Sequence, residues 1–155
     1  MRADLVLWRH AEAAEAADPA DDLERALTPK GERQAQRVAA WLNHQLPAGT
    51  RVLASPARRT QQTAQALDRR FKTLAALAPD RGVDPLLAAV RWPDQREPVL
   101  VVGHQPTLGM AAACLLTGTP APWALRKGGL IWLRAREREG ALQVVLYAAL
   151  GPELA

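Results

Sequence analysis

LVLWRHAE, residues 5–12, runs from four apolar positions straight into an arginine and a histidine. Leu5–Trp8 is a continuous apolar run rather than an alternation, the pattern of a strand covered on both faces. A second such run, Val99–Val102 in PVLVVGH, also ends on an ionisable residue, His104, after Gly103. Strands of this kind belong to parallel sheets flanked by helices.

The segments between them supply the helices. In LTPKGERQAQRVAAWLNHQL, Thr28 reads as an N-cap with Pro29 just inside, and Val38, Trp41, Leu42 and Leu46 recur at helical spacing. RVLAS reads as a short strand, and PARRTQQTAQALDRRF as a helix that Ser55 caps. LAPDRGVDPLLAAV is a loop leading into a short helix, and PTLGMAAACLLTG is a helix rich in small residues that Gly118 closes. GGLIWLRAREREGALQVVLYAAL reads as two strands around Glu137–Gly140, and residues 11–28 as a polar loop. Strands alternating with helices predict a three-layer α/β sandwich with a mostly parallel central sheet.

Composition bounds the function. A chain of 155 residues, 48% of them apolar, is expected to form a single domain over 1–155 with a real core. Cys114 stands alone, so no disulfide framework and no cysteine-rich zinc site can form. Three histidines and one cysteine, without close pairing, predict no metal centre. No apolar run approaches the roughly 20 residues that span a bilayer. Arg2 and Asp4 followed by four apolar residues do not make a signal peptide, and a soluble cytoplasmic protein, monomeric and without membrane contact, is expected. Six acids and one base fall in residues 11–28, a net of −5, so the rest of the chain carries +9 of the overall +4. A basic body suits phosphorylated or nucleic-acid partners. Arginine enrichment from a GC-rich genome explains it as well, and no nucleic-acid-binding motif accompanies it.

In open α/β sheets, sites form beyond the carboxyl ends of the strands. Three strand ends here carry suggestive residues: Arg9–His10, then SPARRTQQTA with Arg58 and Arg59 on a first helical turn, then Gly103–His104. If these strands are neighbours, two histidines and two or three arginines converge on one crevice. Arginine offers a rigid fork of donors matched to phosphate oxygens. A helix N-terminus adds N–H groups and a positive dipole. Imidazole can attack phosphorus and carry the phosphoryl group covalently.

LVLWRHAEA resembles the Arg–His signature of the histidine phosphatase superfamily, the phosphoglycerate mutase-like fold. SPARRTQQTA is similar to its second motif, in which an arginine follows the serine by four residues; that register selects Arg59, with Gln62 and Thr63 after it. VLVVGHQPTL resembles the segment holding the second histidine, and DLERALTPKGERQA and LRKGGLIWL also look familial. The short length and the RHAEA form resemble the SixA-like branch, the phosphohistidine phosphatases. The resemblance implies His10 as nucleophile, Arg9, Arg59 and His104 holding the phosphoryl group, and no metal or other cofactor. It also implies a minimal fold without the large lid insertion, and a phosphorylated protein, such as a phosphotransfer domain or phosphocarrier, as substrate.

The chain departs from phosphoglycerate mutases by placing Ala11, Ala13, Ala14 and Ala16 after the histidine and by lacking room for the acid-bearing insertion. Asp80, Asp84 and Glu12 are the candidates for a general acid. The rival functions are a small-molecule phosphomonoesterase, which needs such an acid, and a non-enzymatic phosphoprotein-binding module, against which both histidines and both arginines speak. Arg58 and His44 read as solvated helix residues, Cys114 as a small buried apolar residue, and the five tryptophans as core and rim packing.

Overall fold

Strands β1 (Arg2–Arg9), β2 (Arg51–Ala54), β3 (Lys72–Thr73), β4 (Val99–Gly103), β5 (Leu130–Arg138) and β6 (Ala141–Leu150) form one sheet in the order β3-β2-β4-β1-β5-β6. The computed structural model describes residues 2–155. Strands β1 to β4 run parallel; β5 lies antiparallel to β1, and β6 antiparallel to β5. The central apolar runs are buried from both sides. Leu5 and Leu7 enter one core cluster and Val6 and Trp8 the other, all four fully buried. The sandwich and its mostly parallel sheet are as expected.

Helices α1 (Pro29–Gln45) and α2 (Arg58–Gln65) cover one face, through Val38, Leu42 and Ala64. Helices α3 (Val83–Val90) and α4 (Thr107–Thr117) cover the other, through Leu86, Val90, Leu108 and Ala111. Strand β1 therefore leads into a helix on one face, and its neighbour β4 into a helix on the opposite face. The two chains diverge at the carboxyl ends of these strands and leave a crevice there.

The ends of α1 and α4 follow local rules. Thr28 Oγ1 accepts from the Gly31 amide at 3.0 Å, with Pro29 as the first helical residue. Gly118 closes α4 at φ 84°, a left-handed conformation that costs glycine nothing. Between β5 and β6, Glu139 and Gly140 both have positive φ, as a two-residue hairpin turn of matching twist requires.

Three readings of the sequence need correction. Helix α2 stops at Gln65, short of Phe71: the amides of residues 66–68 bond three residues back, and Asp68 at φ 53° turns the chain. The next residues form the two-residue edge strand β3, too short to show a period. Residues 11–28 are not a plain loop, since they hold a 3-10 turn at Pro19–Glu24 and a bridge between Ala13 and Leu27. Cys114 is half-buried, because α4 faces the sheet through Leu108, Ala111 and Ala112 and leaves Cys114 off that stripe. The tryptophans are core and rim as expected: Trp8, Trp92 and Trp132 are buried, while Trp123 lies at the surface.

The segment after β1 is clamped onto α1 at Gly31, where a Cβ would collide with the Glu12 carbonyl oxygen. Main chain cannot rotate away as a side chain can. Gly31→Ala should therefore cost about 1–3 kcal/mol, the usual range for overpacking, and lower Tm by several degrees. An unchanged Tm would show that this contact is absent in solution.

Candidate active site

His10 follows β1 directly. Its backbone stays in the sheet, with the amide on Gly103 O at 3.1 Å and the carbonyl accepting from Gly128 N at 2.9 Å. The ring is 6% exposed, and its Nδ1 donates to the Ala11 carbonyl at 2.7 Å. That bond places the ring proton on Nδ1 and leaves the Nε2 lone pair free. His104, one residue past β4, is 5% exposed, and the two ring centroids are 5.4 Å apart. The convergence anticipated from two strand ends follows from the direct pairing of β1 with β4, which sets Arg9 opposite Gly103.

The arginines converge with them. Arg9 donates through one terminal nitrogen to Leu125 O at 2.8 Å, and its buried Nε has no partner among the described residues. Arg59 is 4% exposed, whereas its neighbour Arg58 is exposed, so the motif register picks the inward-facing residue of the pair. Arg59 donates to the Asp22 carbonyl at 2.8 Å and to its Oδ2 at 3.2 Å, while its buried Nε is also unpartnered. Two guanidinium groups with spare, desolvated donors beside two imidazoles make a receptor for a tetrahedral oxyanion.

Burial sets the charge state. It pushes the His10 pKa down to about 4, against the Ala11 hydrogen bond and assisted by Arg59, Arg9 and Arg25. It pushes His104 down to about 3, with His10 and Arg59 adding to the effect. Both rings are therefore neutral at pH 7, as a nucleophile must be. Following the His10 Cε1–H resonance should give a midpoint near 4, and one near 6.5 would contradict this burial. The unfolded chain binds two protons near the ordinary value of about 6.5 that the folded chain refuses until pH 4 and 3. Stability carried by these groups is thus full above 6.5 and lost as pH falls through about 4 for His10 and about 3 for His104.

A match to the histidine phosphatase superfamily (branch 1) covers residues 5–81. A protein of Picosynechococcus sp. is 36% identical over 142 residues, covering 85% of each chain. A candidate phosphohistidine phosphatase, SixA, from Nakamurella multipartitia superposes with TM-score 0.80 and 29% identity, covering 98% of this chain and 97% of that one. A protein histidine phosphatase SixA complexed with tungstate superposes with TM-score 0.78 and 25% identity, covering 97% of this chain and 98% of that one.

The chain belongs to the histidine phosphatase superfamily. Its place within the superfamily is the SixA-like branch, and its small α/β sandwich without a large insertion is the SixA-like form of the phosphoglycerate mutase-like fold.

The rest of this phosphatase's second motif acts as a fastener. Thr63 Oγ1 accepts from the Ala11 amide at 3.1 Å, and Gln62 Oε1 accepts from the Leu27 amide at 2.7 Å. Helix α2 thereby holds both ends of the acidic segment that carries Asp22. Asp22 was not singled out by the sequence. Its signal is one acid within a run of six, and only the fold shows which of them faces an arginine. Arg25, the one base of that segment, was not singled out either; it binds Asp22 Oδ1 at 3.2 Å and Ala14 O at 2.7 Å.

Ser55 corrects another expectation. It does not cap α2, whose N-cap is Ala57 without a side-chain hydrogen bond. Its Oγ instead lies 2.7 Å from His104 Nε2.

None of the three acid candidates is hydrogen-bonded to Arg9, His10, Arg59 or His104. Glu12 Oε2 accepts from Thr28 Oγ1 at 2.7 Å, at the start of α1. Asp80 and Asp84 are exposed, and Asp84 lies against α4 near Met110 and Cys114, one to two turns beyond its His104 end. The carboxylate that does act on His104 is Asp22. Burial works against its ionisation, but Arg25 and Arg59 outweigh burial and hold the carboxyl below its ordinary value.

Proposed function

We propose that this phosphatase removes the phosphoryl group from phosphohistidine in a protein, through a covalent intermediate on His10. The observation that carries the mechanism is the His10 ring, locked by the Ala11 carbonyl with Nε2 unprotonated among Arg9, Arg59 and His104. In the first step the Nε2 lone pair attacks phosphorus, and the bond from phosphorus to the substrate's ring nitrogen breaks. The substrate reacts in its imidazolium form, protonated on the other ring nitrogen, so the imidazole that leaves is neutral. Positive charge growing on His10 is met by the Nδ1–H bond to Ala11 O. Arg9 and Arg59 take the equatorial oxygens. In the second step water attacks phosphorus, the P–N bond to His10 breaks, and inorganic phosphate leaves.

The carboxylates support phosphohistidine over a phosphate ester. An alkoxide leaving group is strongly basic and needs a proton donor. Asp22, the carboxyl nearest the cluster, is held ionised between two arginines and has no proton to give at neutral pH. The SixA relatives support the same substrate class. Rates on a phosphohistidine protein and on p-nitrophenyl phosphate test the reading, with a large preference for the former expected. Equal rates, or a preference for the ester, would favour a small-molecule phosphomonoesterase, and turnover of neither would favour a phosphoprotein-binding module.

A further inference from the structure

Ser55, immediately after β2, is fully buried and pinned on every side. Its amide donates to Val102 O at 3.1 Å in β4, and its carbonyl accepts from Thr60 Oγ1 at 2.9 Å and Gln61 Nε2 at 2.8 Å. The main chain cannot shift, so the hydroxyl position is set. That hydroxyl accepts from the Ala57 amide at 3.2 Å and lies 2.7 Å from His104 Nε2. A buried hydroxyl must place its own proton, and of these two contacts only the ring nitrogen can accept. The proton of the neutral His104 ring then resides on Nδ1. That atom is buried and has no partner among the described residues, and the ring stands 5.4 Å from that of His10, centroid to centroid. A desolvated N–H without an acceptor is costly until an anion's oxygen arrives. The opposite tautomer would strand the Ser55 proton and turn the Nδ1 lone pair, instead of a donor, toward a phosphoryl oxygen.

We propose that Ser55 is a positioning residue that holds His104 in its Nδ1–H tautomer, so that Nδ1 donates to the transferring phosphoryl group. This rests on the crevice being the phosphoryl site, and not on which substrate brings the group.

The test reads the tautomer directly. Histidine-selective ¹⁵N labelling of the full chain at pH 7 should show His104 protonated at Nδ1 and bare at Nε2. Ser55→Ala and Ser55→Cys should move proton density to Nε2 and weaken tungstate binding roughly 10- to 100-fold, the loss of one hydrogen bond to a charged group. Ser55→Thr, which keeps the hydroxyl, should restore both. A wild-type His104 protonated at Nε2 would overturn the proposal even if no variant folds. So would a Ser55→Ala protein whose tautomer and tungstate affinity are unchanged. Neither readout uses a turnover substrate. A shifted tautomer alongside failure to hydrolyse any phosphohistidine protein would sink the substrate reading and leave the role of Ser55 standing.

Discussion

His10→Ala should eliminate turnover, by a factor on the order of 10⁴–10⁶, the scale of losing the nucleophile from a covalent mechanism. The expectation follows from placement. His10 presents Nε2 as the one free lone pair on a ring whose other nitrogen is committed to Ala11 O, and burial keeps that lone pair unprotonated. Nothing else in the crevice can replace it: the arginines are charged, and His104 is engaged with Ser55. The fold should survive, because the backbone bonds of residue 10 to Gly103 and Gly128 do not involve the side chain. Quenched wild-type reactions should yield a phosphoprotein that is acid-labile and base-stable, and the variant should yield none, with its circular dichroism unchanged. Substantial turnover by a folded His10→Ala protein would end the mechanism.

The second large effect separates two adjacent arginines. Residues 58 and 59 open α2, so their side chains diverge by about 100° around its axis. Arg58 points to solvent, and Arg59 is 4% exposed over the crevice. Arg59→Ala should cost roughly 3–4 kcal/mol of transition-state stabilisation, on the order of 10²–10³ in rate, as when one preorganised donor is removed. It should also loosen the acidic segment, since Asp22 would lose two of its bonds. Arg59→Lys should remain poor, because a point charge cannot hold Asp22 and a phosphoryl oxygen at once through a planar fork. Arg58→Ala should cost less than about 1 kcal/mol, as exposed charges do. Steady-state kinetics on the three variants decide it; a crippled Arg58→Ala would mean that the motif register is off by one residue.

Both effects depend on residues legible in the chain before any coordinates. A continuous apolar run that ends in Arg–His reads as a doubly covered strand, and the family resemblance of the ordered motifs marks its end as a site. The register that the family resemblance supplies for the second motif selects the buried arginine over the exposed one. The period of a strand and the first turn of a helix are local, properties of neighbouring residues, and the ordered motifs are read by resemblance to the family. The sandwich, the caps of α1 and α4, and the four residues of the cluster were therefore within reach of the sequence.

What lay beyond it depends on residues far apart in the chain. Asp22 meets Arg59 across 37 positions, and Ser55 meets His104 across 49. One acid among six, or one serine before a proline, carries no mark of its partner. The contact of Glu12 with Thr28, 16 positions away, and the exposure of Asp80 and Asp84 were equally outside the reach of the sequence. The sequence by itself determined which side chains stand at the strand ends, because alternation and helical period act over a few residues. Only the tertiary structure decided which of them touch, and hence which carboxylate is ionised and where the His104 proton sits. Burial and hydrogen-bond geometry are set by the packing of the whole sheet and its helices.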